Sequence, residues 1–341
     1  MLSEEAKLIL NDPERIKRRD EWFSRLSDLF DGRNNEYSDR YVFTLTGASA
    51  YAGMPSDREC VNWALDKLAK MPEFTGNRFC PLCIEYNPMG VHFIDYLFGA
   101  NVYTNGHQWY NDTLDTPVGS LEFPDYESNP MWIDARTIAE QFLDAGVSLP
   151  VFATPILSSP LNIIVNLYGE EALVAMMEDE DAVRHDLEVI NTLIRTLHKW
   201  YRDNIPQRQL QCTVVTQRIQ PPGYGQLCGC TSHLLSGGMY REYIMELDDA
   251  LLGDYQSGGM IHLCGAHTQH IEAFRSMPHL KAVQINDRAA ADLEEYYNGL
   301  REDQIIYLNP CDKMPLEEAL AITGGDRLVI CSPIEAPEKP A

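Results

Sequence analysis

Apolar and polar positions alternate along this chain in two registers. Eight short runs are β-prone: 41–46, 78–84, 149–154, 210–216, 259–263, 281–285, 304–308 and 327–331. Between them apolar residues recur every three or four positions, the period of a helix with one buried face. The longest such face runs through Val183, Leu187, Ile190, Ile194, Leu197 and Tyr201. Strands separated by helices imply parallel connections, and eight strands is the number that closes a (β/α)8 barrel. Residues 3–31 read as one or two helices ahead of the first strand, placed to cover the barrel floor. The expected organisation is one domain, 1–341, with an N-terminal helical extension over 1–40 and a TIM barrel over 41–331. The connection from 84 to 149, rich in Gly, Pro, Asn and aromatic residues, is expected to carry loops over the barrel mouth.

Charge narrows the partners. The 341 residues hold 27 Lys and Arg against 51 Asp and Glu, a formal charge of −24. Phosphate backbones and anionic membranes are met by basic faces. The one basic cluster, Arg15 to Arg19, is flanked by acids and reads as a solvated helix face. Nucleic acid and membrane are therefore set aside. With 45% hydrophobic and 23% charged residues the chain has the make-up of a folded protein with a large core. The first residues, Met1-Leu2-Ser3-Glu4-Glu5, lack the apolar core of a signal peptide. The apolar stretch 151–167 is interrupted by Pro, Ser and Asn. Nine cysteines, an odd number without an export signal, suit reduced thiols in the cytoplasm, some of them on a metal.

The candidate chemistry gathers late in the chain. In Gly258-Gly259-Met260-Ile261-His262-Leu263-Cys264-Gly265, His262 and Cys264 sit two apart, so on a strand they project from one face. Imidazole and thiolate together suit Zn2+. Cys331 ends the eighth predicted strand and Asn286-Asp287 ends the sixth, which in a barrel puts all these groups at the carboxyl face. His262, Cys264 and Cys331 then make three ligands and leave a fourth position for water, substrate or Asp287. Cys311, at the end of the seventh strand, competes with Cys331.

The stretch His262-Leu263-Cys264-Gly265 after a glycine-rich strand, with a late cysteine, resembles the uroporphyrinogen decarboxylase superfamily, closest to its zinc-dependent methylcobamide:coenzyme M methyltransferase branch. The likeness extends to Thr154–Pro160, Leu167-Tyr168-Gly169, Met177–Glu180, Leu235-Ser236, Tyr240–Tyr243, Leu308-Asn309-Pro310 and Gly324-Gly325-Asp326. It implies a barrel in which a His-x-Cys pair and the distant Cys331 hold zinc, and it favours Cys331 over Cys311. The decarboxylase's arginine-rich stretch is missing, because the matching residues read Thr46-Gly47-Ala48-Ser49-Ala50-Tyr51, and a substrate with many carboxylates would find no clamp there. The chain also stops shortly after Ser332-Pro333-Ile334, where the methyltransferases continue.

The activity this resemblance implies is methyl transfer from a methylated corrinoid, such as methylcobalamin or a corrinoid protein, to a small thiol made nucleophilic by zinc. Asp287 and Tyr224 are the expected catalytic residues, and Gln217 and Asn309 the expected cofactor-binding ones. A homodimer is compatible with this reading. Two rivals stay open: a metal-independent decarboxylase-like enzyme, and a non-catalytic barrel with a structural zinc. Cys80-x-x-Cys83 and Cys228-x-Cys230 could make a second zinc site but read better as packed thiols. His267 and His270 read as solvated helix residues. Gly237-Gly238 and Gly324-Gly325 lack nucleotide-binding spacing.

Overall fold

Two helices open the chain, α1 (Glu4–Leu10) and α2 (Pro13–Phe30), and the break between them is written in the sequence. Ser3 Oγ accepts from the Ala6 N–H at 3.2 Å, and Asp12 Oδ1 accepts from the Glu14 N–H at 2.8 Å. Pro13 fits the first turn, where its missing N–H costs no helical bond. The computed structural model describes residues 2–32, 43–45, 48–51, 60–71, 78–106, 108–155, 158–212 and 218–331.

The strands are β1 (Phe43–Leu45), β2 (Ala48–Tyr51), β3 (Arg78–Phe79), β4 (Leu82–Glu85), β5 (Val102–Asn105), β6 (Gln108–Asn111), β7 (Val151–Ala153), β8 (Leu210–Gln211), β9 (Gly225–Cys228), β10 (Gly259–Leu263), β11 (Leu280–Ile285), β12 (Ile305–Leu308) and β13 (Leu328–Cys331). All pair in parallel except the β5–β6 hairpin. One sheet runs β3-β1-β13-β12-β11-β10-β9 and the other β2-β4-β7-β8. The β1–β3 and β2–β4 pairings keep the same register offset, so the two sheets continue one another.

The molecule is thus α/β with parallel sheets, as the alternation implied. The expected eight-stranded closure is a different matter. Among the described residues β8 and β9 form the free ends of the ladder, with no strand pairing between them. A single parallel bridge, Ser158 to Cys228, ties β9 to the segment following β7. Strand β9 and the β5–β6 hairpin lie outside the predicted runs.

Strands β4, β7, β10, β11, β12 and β13 divide their side chains between two cores. On β10, Ile261 and Leu263 pack outward among the helices, while Met260 joins an inner cluster. Tyr307, Val329, Cys331, Cys83 and Ala153 share that inner cluster, so both sheets face one interior. Helix α2 closes its amino end through Phe23, Leu26, Leu29 and Phe30. Phe30 meets Tyr224 with ring centroids 4.8 Å apart, and Phe23 meets Phe79 at 5.0 Å. Arg19 departs from the solvated face expected of its cluster. It is buried and donates to the carbonyls of Ser148 and Leu149, just before β7, at 2.5 and 2.8 Å. Those bonds lock α2 under the sheet. Among the described residues no helix is long and apolar enough to cross a membrane.

Candidate metal centre

Parallel strands deliver their last residues to one end, and there β9 and β10 run side by side with Cys228 opposite His262. Gly229 carries the chain from β9 into the turn that begins at Cys230. A Cβ on Gly229 would stand 2.5 Å from Ile261 Cδ1, so glycine lets the turn press closely on β10 without displacing that side chain. Its N–H donates to the His262 carbonyl at 2.9 Å, which extends the ladder by one rung.

Four donors meet at this corner. The Sγ atoms of Cys228 and Cys230 and a ring nitrogen of His262 all lie within 4.8 Å of one another. Cys264 Sγ lies 3.1 Å from Cys230 Sγ and 3.0 Å from His262 Nε2. Cys228 and Cys230 are 3.5 Å apart at sulfur. Two sulfurs each about 2.3 Å from one tetrahedral zinc would be spaced by about 3.7 Å, so these donors need only small movements to share an ion. Cys228 and His262 are buried, and Cys230 and Cys264 are half-buried.

The protons report the same crowding. The Cys230 thiol hydrogen-bonds its two neighbours and so lowers them. Cys264 falls to about 5, helped by His262 and the Arg218 charge. Cys228 falls to about 6 against the opposing effect of burial. Cys230 moves the other way, far above the ordinary thiol range, because the sulfurs of Cys228 and Cys264 and its own burial oppose a further thiolate. Thiols that resist holding a full set of protons form a set that a cation can occupy in their place.

A buried frame fixes these donors. His262 Nδ1 is hydrogen-bonded to Gln284 Oε1, and Gln284 Nε2 donates to Asn309 Oδ1 at 2.5 Å. Nδ1–H pointing at an amide oxygen leaves Nε2 as the ligand atom. His267 Nε2 accepts from the Gly265 N–H at 3.1 Å, which leaves Nδ1–H to donate to Ser232 Oγ at 3.0 Å. Burial pushes the His267 ring down to about 3, so this neutral tautomer persists. Ser232 Oγ in turn donates to the Gly229 carbonyl at 2.8 Å. One imidazole therefore ties the turn after Cys264 to the turn between Cys228 and Cys230. Behind Cys228, Asn162 Nδ2 donates to its sulfur at 3.6 Å and Asn162 Oδ1 accepts from the Thr231 N–H at 3.2 Å.

The residues singled out in the sequence fall into distinct places. His262 and Cys264 come together as expected. Cys331 does not belong to the Cys228–Cys230–His262 group. It lies on β13, three strands along the sheet from β10, inside the inner apolar cluster, where burial pushes its thiol up to about 12. Asn309 reaches His262 through Gln284. Asp287 follows β11 at the same end as the cluster. It is exposed, it has a backbone φ of 48°, and it accepts from Asn286 Nδ2 at 3.4 Å. Tyr224 precedes β9 and so sits at the amino end, away from the cluster. It packs on Phe30, and burial raises its phenol to about 12. Gln217 lies outside the described residues. Cys311 sits in a turn bridged to Met314, and Cys83 is packed in the inner core. His267 and His270 are buried rather than solvated.

These features define a sulfur-rich Cys/His centre at the carboxyl end of a parallel α/β sheet. No family model matches the chain, and no curated protein does. A solved structure does resemble it: a methyltransferase from Methanosarcina mazei, with a TM-score of 0.55, 11% identity and 76% of each chain covered. At that identity the likeness is one of fold.

Proposed function

We propose that this chain is a zinc-dependent methyltransferase that moves a methyl group from a methylated corrinoid to a thiol, on a (β/α)8 barrel. The observation that carries this reading is the convergence of Cys228, Cys230, Cys264 and His262 at the carboxyl end of β9 and β10. Support for the barrel comes from the shared inner core of the two sheets, the Ser158–Cys228 bridge and the fold likeness. The soft sulfur and imidazole donors suit Zn2+ and disfavour Mg2+ or Ca2+, which take oxygen.

His262, presented through Nε2 by Gln284, and the thiolates of Cys228, Cys230 and Cys264 are the residues that would hold the ion. An incoming thiol would replace one of the half-buried thiolates, Cys230 or Cys264, which would take up its proton. Zinc bound there would stabilise the newcomer as a thiolate, a nucleophile at neutral pH able to take a methyl group by in-line displacement. Cys230 and Cys264, the two half-buried donors, stand on the accessible side by which a thiol would approach. Gln284, Asn309 and His267 hold the donors in place. On this reading a corrinoid protein supplies the methyl group, and Asp287, on the same face, borders its approach.

A three-cysteine, one-histidine shell that admits no such exchange would instead favour a structural zinc. The two separate in the cobalt(II)-substituted protein, whose thiolate absorption reports the ligands. Adding 2-mercaptoethanol is expected to shift that spectrum saturably as the thiol enters the shell. A spectrum indifferent to excess thiol would assign the centre a structural role.

A further inference from the structure

Arg218 is buried, 9% exposed, and its Nε has no hydrogen-bond partner. A guanidinium without an anion is expensive to bury in any protein. Here the net charge of −24 makes acidic partners plentiful, yet none has been placed beside it among the described residues. Its sequence neighbour lies on the inner face. Ile219 belongs to the inner cluster with Met260, Tyr307 and Cys331, and its carbonyl accepts from Tyr307 Oη at 3.1 Å. Two residues on, Gln220 hydrogen-bonds the Gly225 carbonyl, so this stretch runs beside β9.

A second orphan shares this face. Gln226 stands two residues before Cys228 on β9, opposite Met260 in the ladder, so alternation turns it inward with Cys228. It is 2% exposed, and neither its Oε1 nor its Nε2 has a partner. Gln220 spends its Nε2 on the Gly225 carbonyl at 2.7 Å but leaves its own Oε1 unpartnered. Residues 218–226 therefore offer a fork of N–H donors from Arg218, one amide N–H2 group and two free amide oxygens. The donors match a carboxylate, which a guanidinium binds through two parallel bonds. The oxygens match a hydrogen-bond donor carried next to it.

We propose that Arg218, Gln226 and Gln220 form a recognition subsite on the inner face, which takes the carboxylate of a small ligand together with an adjacent ammonium or hydroxyl group. The inference rests on the thiol-transfer reading above and deepens it: the acceptor thiol is an acid whose polar end is held here while its sulfur reaches the Cys/His centre.

The test is calorimetric titration of the full zinc-loaded chain with cysteine, 3-mercaptopropionate and 2-mercaptoethanol, zinc being measured before and after. These share a thiol and differ in carrying carboxylate and ammonium, carboxylate alone, or neither. The two acids are expected to bind at least about tenfold more tightly than 2-mercaptoethanol, since an unpaired buried charge costs well over a factor of ten. Arg218→Gln should erase that preference with zinc content unchanged. Gln226→Leu should erase the advantage of cysteine over 3-mercaptopropionate. Equal binding of all three thiols overturns the proposal, as does an unchanged preference in Arg218→Gln. Loss of zinc from Arg218→Gln overturns it too, because the guanidinium would then be serving the thiolates. Propionate, which has no sulfur, keeps the subsite separate from the metal reading. If the chain holds no zinc, propionate binding that disappears in Arg218→Gln still upholds the subsite, and no binding to either protein removes it.

Discussion

Replacing Cys230 or Cys264 with serine should reduce the zinc of the purified protein from about one ion per chain to less than about a tenth. Each sulfur lies within 3.5 Å of another donor of the cluster, and serine offers zinc a neutral hydroxyl in place of a thiolate. Cys331→Ser is the matched control. Its thiol is packed on β13 in the inner cluster, and the variant should keep its zinc. Metal analysis by mass spectrometry, with circular dichroism to verify folding, reads the result. If Cys331→Ser lost the ion while Cys230→Ser retained it, the ligand set would be His262, Cys264 and Cys331, and the Cys228–Cys230 turn would be a neighbour only.

The second large effect falls on the scaffold. Trp132, in the helix Pro130–Asp144, is 1% exposed. It stands edge-on to Trp200 and to Tyr201, each 5.7 Å away between ring centroids, and it meets Tyr126 at 6.0 Å. Trp200 and Tyr201 belong to the long helix Glu180–Asn204, so this one side chain joins two outer helices. Trp132→Ala should cost about 3–5 kcal/mol, from lost transfer energy and from a cavity three fixed rings cannot fill. Urea unfolding should show a lower midpoint at an unchanged slope. A loss under about 1 kcal/mol would mean the helices repack without it.

The comparison of sequence with structure turns on what each strand faces. Strands β10 to β13 lie within a residue of the runs 259–263, 281–285, 304–308 and 327–331, because their outward side chains are apolar and their flanks are marked by Gly, Asn and Pro. Strand β9 escaped notice for the opposite reason. Its inward residues, Gln226 and Cys228, face the centre and the orphan amides rather than a greasy core, and it begins at Gly225 after Pro221-Pro222-Gly223. With β9 unseen, Cys228 and Cys230 had no strand to bring them beside His262 and read as packed thiols. His262 and Cys264 were legible because period two alone puts them on one face. Tyr224 was misplaced by the same omission, since it precedes a strand instead of following one. His267 sits in a polar stretch that looks solvated. Only the fold reveals that its two nitrogens close a bond between separate turns.

The expected one or two helices over 3–31 resolve into two, with the break at Asp12 and Pro13. The destination of Arg19 was not, because its carbonyl partners lie more than a hundred residues away.

The central claim is methyl transfer to a thiol at this centre, and the most direct measurement follows methylcobalamin by its absorbance in anaerobic solution with the protein and 3-mercaptopropionate. Demethylation that requires protein and thiol together, stops when a chelator strips the zinc, returns on adding zinc back and fails in Cys264→Ser is the predicted result. A rate no greater than that of the thiol alone, or one untouched by removal of the metal, would contradict it.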